Sequence, residues 1–123
     1  MSGGRGGRLT THALDAARGR PATGLRVDLA AIDRESGDRL LATATTNADG
    51  RTDSPLLSGD AMAVGRYELT FHVGAYLAAL GTPVADPPFL DRVPVRFAIA
   101  DAGAHYHVPL LFTPWSYSTY RGS

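Results

Sequence analysis

The sequence predicts an all-β fold, a β-sandwich that includes one short helix. Three observations support this prediction. Apolar residues recur at every second position in several segments, which is the period of a strand that buries one face. Clusters of turn-forming residues separate these segments at intervals of roughly 8–12 residues, as they do in β-sandwiches. A single stretch rich in helix formers interrupts the alternation.

The alternating segments are predicted as strands and the segments between them as turns. The strands comprise residues 9–15, 25–31, 40–46, 67–73, 93–99 and 104–112. Turns are predicted at residues 16–22, 35–38 and 47–50, where Gly50 supplies the positive φ angle that a tight reversal often needs. Pro94 lacks a backbone donor, so its strand is expected at a sheet edge or at a bulge. The helix is predicted over residues 74–81, between two glycines, and a proline-rich loop follows at 82–88.

Length and composition bound the organisation and the class of the protein. Residues 9–123 are predicted as one domain, and the glycine- and arginine-rich residues 1–8 as a disordered N-terminal tail. The chain has no cysteine and no lysine, which excludes disulfides, thiolate chemistry and lysine Schiff bases. A formal net charge of zero argues against a nucleic-acid partner. There is no apolar run of membrane-spanning length and no secretory signal, so we predict a cytoplasmic protein without a membrane partner.

Two histidines in the last predicted strand are the first candidates for a functional site. The alternation places His105 and His107 on one face, about 7 Å apart. Three interpretations are open at this point: a polar pair on a solvated face, two ligands of a metal ion with His12 as the third, or an acid–base pair that titrates near neutral pH.

For other polar residues, the sequence pattern is weaker evidence of a functional role. His12 lies in the first strand on the same face as Leu14, where a structural role is the more common one. Arg51 directly follows the turn 47–50, and its planar guanidinium suits an anionic or carbonyl-rich substrate if that turn opens on a pocket. His72 is predicted to be structural. The segment 117–123 is rich in tyrosines and hydroxyl groups, which predicts that it is held against the domain.

Several motifs taken together resemble one known family. They are Leu-Thr-Thr-His-x-Leu-Asp at residues 9–15, Gly-Arg-Pro-Ala at 19–22, Thr-Asn-x-Asp-Gly-Arg at 46–51, His-Tyr-His-Val-Pro-Leu-Leu at 105–111, and Tyr-Ser-Thr-Tyr-Arg-Gly-Ser at 117–123. In this order they closely resemble the transthyretin-related 5-hydroxyisourate hydrolases, over nearly the whole chain. Ala13 and the stretch 112–116 depart from the usual pattern without changing a residue type that the chemistry needs.

The resemblance implies a transthyretin-like sandwich of two antiparallel sheets with one short helix. It also implies a homotetramer whose active sites lie at the dimer–dimer interface. The implied reaction is the hydrolysis of 5-hydroxyisourate to 2-oxo-4-hydroxy-4-carboxy-5-ureidoimidazoline in urate degradation, without a metal or an organic cofactor. Carried over by motif, the catalytic residues are His12, Arg51, His105 and Ser123, and the substrate-binding residues are His107, Tyr120, Arg121 and Gly122.

A mechanism follows as a hypothesis. One imidazole, that of His12 or His105, is the general base for water, and the other polarises the attacked carbonyl or protonates the leaving nitrogen. Arg51 holds the substrate and the developing negative charge, and Ser123 orients an imidazole or the water. His107 ranks second, as a substrate-binding or structural residue. The alternative function is a transthyretin-like small-molecule carrier, which shares the fold and would not need the terminal motif 120–123.

Overall fold

The computed structural model of the chain describes residues 6–122, which form two sheets packed face to face. Ser123 and residues 1–5 of the predicted tail lie outside the described residues. In chain order the elements are β1 Arg8–Asp15, β2 Arg20–Pro21, β3 Arg26–Ile32, β4 Arg39–Thr45, β5 Leu57–Ser58, β6 Gly65–His72, α1 Val73–Leu80, β7 Arg92–Ile99, β8 His105–Phe112 and β9 Tyr117–Thr119. A single turn of 3₁₀ helix, Gly59–Ala61, follows β5.

The two sheets differ in how their strands pair. The four-stranded sheet has the order β4-β3-β6-β7 and is antiparallel throughout. The five-stranded sheet has the order β2-β1-β8-β9, with β5 paired to the first residues of β1. Its central pair, β1 and β8, is parallel, which corrects the prediction of two purely antiparallel sheets. Alternation identifies a strand and its faces but not the direction of its partner, so the sequence pattern could not reveal this pairing.

The core lies between the sheets and is built from the inward-facing residues of both. The largest fully buried side chains of the strands are Leu9, Val27, Leu29, Leu69, Phe71, Val93, Ile99, Leu110 and Phe112. Burying one such side chain contributes about 1.5–3 kcal/mol relative to leaving it exposed. Because these residues face inward, the alternate residues of β1 and β8 point away from the core.

The helix α1 packs against the ends of β1 and β8 and holds the last residue of β1 in place. The hydroxyl of Tyr76 donates to Asp15 Oδ2 at 2.9 Å, and its ring meets that of Phe112 edge-on at a centroid distance of 5.6 Å. The backbone N–H of Arg18 donates to the other oxygen of Asp15 at 3.1 Å. A buried carboxylate is costly unless it is hydrogen-bonded, so these donors offset the desolvation of Asp15. The helix ends at Leu80 and is capped by Gly81, whose φ of 76° places it in the left-handed region.

The predicted strands are all present, with ends displaced by one or two residues. β1 begins at Arg8, the last residue of the predicted tail, and the helix begins one residue earlier than predicted. Pro94 lies on β7, an edge strand, as expected. The strands β2, β5 and β9 have only two or three residues each, too few to show a period. Within residues 6–122 no helix is long and apolar enough to cross a membrane.

Candidate active site

The outer face of the five-stranded sheet carries a row of polar side chains on β1 and β8. On β1, Thr10 and His12 point away from the core, and His12 shares this face with Leu14 as predicted. On β8, His105 and His107 point outward in the same way. The parallel register sets Thr10 directly opposite His107. Side chains from distant parts of the sequence therefore lie side by side on one surface.

The turn at residues 47–50 brings Arg51 beside His12, with which it forms an isolated antiparallel bridge. Gly50 has a φ of 74°, and its carbonyl accepts the N–H of Ala13 at 2.8 Å. A Cβ atom at Gly50 would clash with the carbonyl oxygen of Ala13, so the close approach requires glycine. The side-chain carbonyl of Asn47 accepts the N–H of Arg51 at 3.2 Å and closes the turn. The predicted turn thus holds a guanidinium next to an imidazole.

The segment that follows β9 runs back along β8. The N–H of Gly122 donates to the carbonyl of His107 at 2.7 Å, and a Cβ at Gly122 would lie 2.8 Å from His107 Cδ2. Arg121 donates from Nη2 to the carbonyl of His105 at 3.2 Å, and its Cζ lies 4.0 Å from the ring centroid of Tyr106. These contacts hold the described part of the segment, up to Gly122, against the domain, as predicted for residues 117–123, of which Ser123 lies outside the described residues.

An open cleft of about 850 Å³ lies on this outer face. It is lined by His12, Arg51, His105, His107, Tyr120, Arg121 and Gly122. The structure therefore brings together every predicted site residue except Ser123, which lies outside the described residues. An adjoining recess of about 390 Å³ continues past Arg51 to Arg8 and Ser54.

The three imidazoles of the cleft favour their neutral form. The ring centroid of His107 lies 6.4 Å from that of His12 and 6.3 Å from that of His105. Burial lowers the pKa of His12 and His107 below the ordinary value of 6.5, and the charge of Arg51 lowers both further. Burial also lowers the pKa of His105, together with the charges of two nearby arginines. A neutral imidazole can accept a proton at neutral pH, which is the requirement for a general base.

Thr10 is a site residue that reasoning from the sequence missed. Its Oγ1 lies 2.9 Å from His105 Nε2 and 2.8 Å from His107 Nδ1. The available clue was the alternation, which places Thr10 on the same face as His12. The contact itself depends on the parallel register of β1 on β8, which the sequence pattern does not reveal.

The metal interpretation gains no support from this geometry. Among residues 6–122, no group of three histidine or acidic side chains is placed to hold a metal ion. One ring nitrogen of each of His105 and His107 is already within hydrogen-bonding distance of the Thr10 hydroxyl. The arrangement fits proton transfer between side chains better than metal ligation.

His72 lies outside the cleft, on the outer face of the four-stranded sheet. Its Nε2 is 2.8 Å from Asp28 Oδ2, and the same carboxylate accepts hydrogen bonds from Arg26 and Thr43. These contacts tie neighbouring strands together, in line with the predicted structural role of His72.

Comparisons with known proteins agree with the motif resemblance. The HIUase/Transthyretin family model matches residues 9–122. A Rhizobium meliloti protein named 5-hydroxyisourate hydrolase 2 is 55% identical over 119 residues, which cover 97% of this chain and 98% of the relative. The 5-hydroxyisourate hydrolase of Deinococcus radiodurans is also 55% identical, and the match covers 100% of both chains.

A solved structure supports the architecture as well. Sea bream transthyretin, in a crystal structure with thyroxine, superimposes with a TM-score of 0.83 at 28% sequence identity, over 94% of each chain. This similarity confirms the predicted transthyretin-like all-β sandwich with one short helix. Because the family match spans almost the entire described domain and relatives share more than half of the residues, the chain belongs to the HIUase/Transthyretin family.

Proposed function

We propose that this protein hydrolyses 5-hydroxyisourate to 2-oxo-4-hydroxy-4-carboxy-5-ureidoimidazoline in the cleft of its five-stranded sheet. The observation that carries the proposal is the group of three neutral imidazoles beside Arg51. The hydrolase names of relatives that are 55% identical over nearly the whole chain confirm the predicted class of enzyme. The residue roles below are our proposals.

The opening of a cyclic amide by water needs a base for the water, donors for the developing oxyanion and a proton for the leaving nitrogen. Of His12 and His105, one is proposed to be the base, and the other to polarise the carbonyl or protonate the nitrogen. Arg51 has no ion pair among residues 6–122, so its guanidinium can donate to the oxyanion. This chemistry requires no cofactor.

The C-terminal segment is proposed to bind the substrate on the side opposite the turn. Gly122 lies against the ring of His107, and Tyr120, a residue that is 59% exposed, lines the cleft. Arg121 shares this wall while it holds the segment to β8. Ser123 follows directly and is proposed to orient an imidazole or the attacking water.

The alternative, a small-molecule carrier, shares the fold and is represented by the sea bream transthyretin structure with thyroxine. The chemistry of the cleft favours the hydrolase. A hormone-like apolar ligand would be matched by apolar walls. This cleft instead presents imidazoles and guanidinium groups to a small polar ring.

We also propose that the protein works as a homotetramer, with clefts at the interface between dimers. The cleft lies open on an outer sheet face, so a second subunit can supply its missing wall. Within the described chain, β7 and β9 are edge strands, and a recess of about 220 Å³ lies between them. Unpaired edges of this kind suit strand pairing between copies. Sedimentation equilibrium at several protein concentrations will test the proposal, and a monomer throughout would reject it.

The function is tested by the ultraviolet decay of 5-hydroxyisourate that urate oxidase generates in situ. The wild type and the Arg51→Ala and Arg26→Ala variants are compared. Arg26 is the matched control because it pairs with Asp28 on the outer face of the other sheet, away from the cleft. We expect the wild type and Arg26→Ala to accelerate the decay and Arg51→Ala to lose the acceleration. Decay at the spontaneous rate with the folded wild type would reject the proposed function.

A further inference from the structure

Thr10, His105 and His107 form a hydrogen-bonded chain that the roles of His12 and Arg51 do not use. We infer that the Thr10 hydroxyl is a positioning group that couples the two imidazoles, so that they share one tautomer and exchange protons through it. The catalytic part of this inference rests on the proposed function. The coupling of tautomers is a property of the free protein and can be measured without substrate.

The inference follows from the number of protons available. A threonine hydroxyl donates one hydrogen bond and accepts up to two, and a neutral imidazole has one N–H and one acceptor nitrogen. Thr10 Oγ1 lies 2.9 Å from His105 Nε2 and 2.8 Å from His107 Nδ1, both within hydrogen-bonding distance. In the coupled pair the hydroxyl proton lies between the rings, whereas a hydroxyl that donated to solvent would accept from both rings. The ring that does not receive the hydroxyl proton must then donate to the hydroxyl, so the two rings take opposite roles towards Thr10.

Two arrangements satisfy this requirement. In the first, Thr10 donates to His107 Nδ1 and accepts from His105 Nε2, so both rings carry their proton on Nε2. In the second, Thr10 donates to His105 Nε2 and accepts from His107 Nδ1, so both rings carry their proton on Nδ1. Neither ring can change its tautomer unless the other changes with it.

The change from the first arrangement to the second moves one proton across the site. His105 Nδ1 takes a proton from the attacking water, and the proton of His105 Nε2 passes to Thr10 Oγ1. The original hydroxyl proton passes to His107 Nδ1, and His107 Nε2 gives its proton to the leaving nitrogen. Water loses one proton, the nitrogen gains one, and every ring and hydroxyl ends neutral. The reverse shift, in which solvent water gives a proton to His107 Nε2 and takes one from His105 Nδ1, restores the first arrangement.

The surroundings of the pair favour such a neutral relay. The Cδ2 edge of His107 lies against Gly122, and Nδ1 is bound by Thr10, so Nε2 is the nitrogen left for substrate. The charges that act on the pair are those of Arg8 and Arg121 on the His105 side, and of Arg51, with the titratable His12, on the His107 side. The carboxylate of Asp53 lines the adjoining recess. Positive charge on several sides opposes an imidazolium, whereas the relay leaves neither ring charged.

The first test measures tautomers by histidine-selective ¹⁵N NMR at a pH about two units above the ordinary histidine pKa. We expect equal Nε2–H fractions for His105 and His107 in the wild type and in Thr10→Ser, which keeps the hydroxyl. In Thr10→Val, which keeps the shape, the fraction of at least one ring is expected to change. Unequal fractions in the wild type, or no change in Thr10→Val, would overturn the coupling.

The second test is kinetic and uses Thr11→Val as the matched control. The Thr11 hydroxyl lies on the inward face of the same strand and donates to the Val108 carbonyl at 2.7 Å. We expect Thr10→Val to lose roughly 100-fold or more in kcat, with KM nearly unchanged and a shifted pH profile. Thr10→Ser and Thr11→Val should keep the wild-type profile.

The kinetic and spectroscopic outcomes separate the two proposals. Wild-type kcat and pH profile in folded Thr10→Val would overturn the relay. A wild type inactive on 5-hydroxyisourate would reject the proposed function and the relay with it. In that case equal tautomer fractions would still support the coupling, and unequal fractions would overturn it.

Discussion

Replacement of Gly50 by alanine tests whether the close approach of the turn to β1 places Arg51 in the cleft. An alanine at the φ of 74° costs about 1 kcal/mol in backbone strain. Its Cβ would clash with the Ala13 carbonyl oxygen and would meet Pro21 Cβ at 3.1 Å and His12 Cδ2 at 3.2 Å. Relief of the clash moves the turn outward and weakens the hydrogen bond between the Ala13 N–H and the Gly50 carbonyl, a further loss of about 1 kcal/mol. We expect a total loss of about 2–3 kcal/mol in the free energy of unfolding.

The matched control is Gly37→Ala in the β3–β4 hairpin. Gly37 has a φ of 82° and no atom within 4 Å of an added Cβ, so its substitution measures backbone strain alone. For a domain of this size, thermal unfolding should show a decrease in Tm of roughly 6–15 °C for Gly50→Ala and roughly 3–5 °C for Gly37→Ala. At a temperature where both variants are folded, Gly50→Ala should lose about 10-fold or more in turnover because the guanidinium is misplaced. Equal decreases in Tm, or full activity in folded Gly50→Ala, would refute the reasoning.

Four further predictions concern the cleft. Arg51→Ala should lose about 100-fold in kcat relative to Arg26→Ala in the decay assay, the usual loss for one oxyanion donor, and comparable rates would exclude that role. Because the fold lowers the pKa of the cleft imidazoles below 6.5, the unfolded chain binds more protons in acid. The stability that the neutral rings contribute is therefore present above pH 6.5 and lost as the pH falls through their lowered values. The acid limb of a kcat/KM profile should likewise lie below 6.5, and a limb at or above 6.5 would contradict this. Gly122→Ala places a Cβ 2.8 Å from His107 Cδ2, so the terminal segment or the imidazole must move and turnover should fall. Circular dichroism should show an intact fold. An unchanged kcat would show that the terminal segment can shift without loss of activity.

The sequence pattern predicted the long strands well because each buries one face in a single core. In β6, Tyr67, Leu69 and Phe71 are buried while their neighbours are not, and the alternation of the sequence reports this directly. The pairs β1–β2 and β1–β5 involve two residues on each strand, so no period can appear. The parallel pairing of β1 with β8 was missed because the relative direction of two strands depends on the path of the chain between them, which no local sequence pattern reports.

The candidate site was predicted in part from two kinds of information. Alternation alone placed His105 and His107 on one face and left their role open. The motif resemblance gave catalytic or binding roles to His12, Arg51 and the C-terminal segment, and the described residues among them lie around one cleft. Thr10 was missed because its role depends on which residue of β8 it faces, and cross-strand register is a tertiary property.

The parallel pair at the centre of the site has a consequence for the order of folding. Thr10 and His107 are 97 positions apart in the chain, and contacts of such separation are expected to form late because a long loop must close first. β1 emerges from the ribosome long before β8. Until the two strands pair, the apolar residues Leu9 and Ala13 of β1 are exposed to solvent, a state that favours aggregation. The four-stranded sheet can assemble from nearer segments, yet it holds none of the cleft. Catalysis during refolding should therefore begin only after β1 and β8 have paired, so the lag before turnover could be used to time this late step.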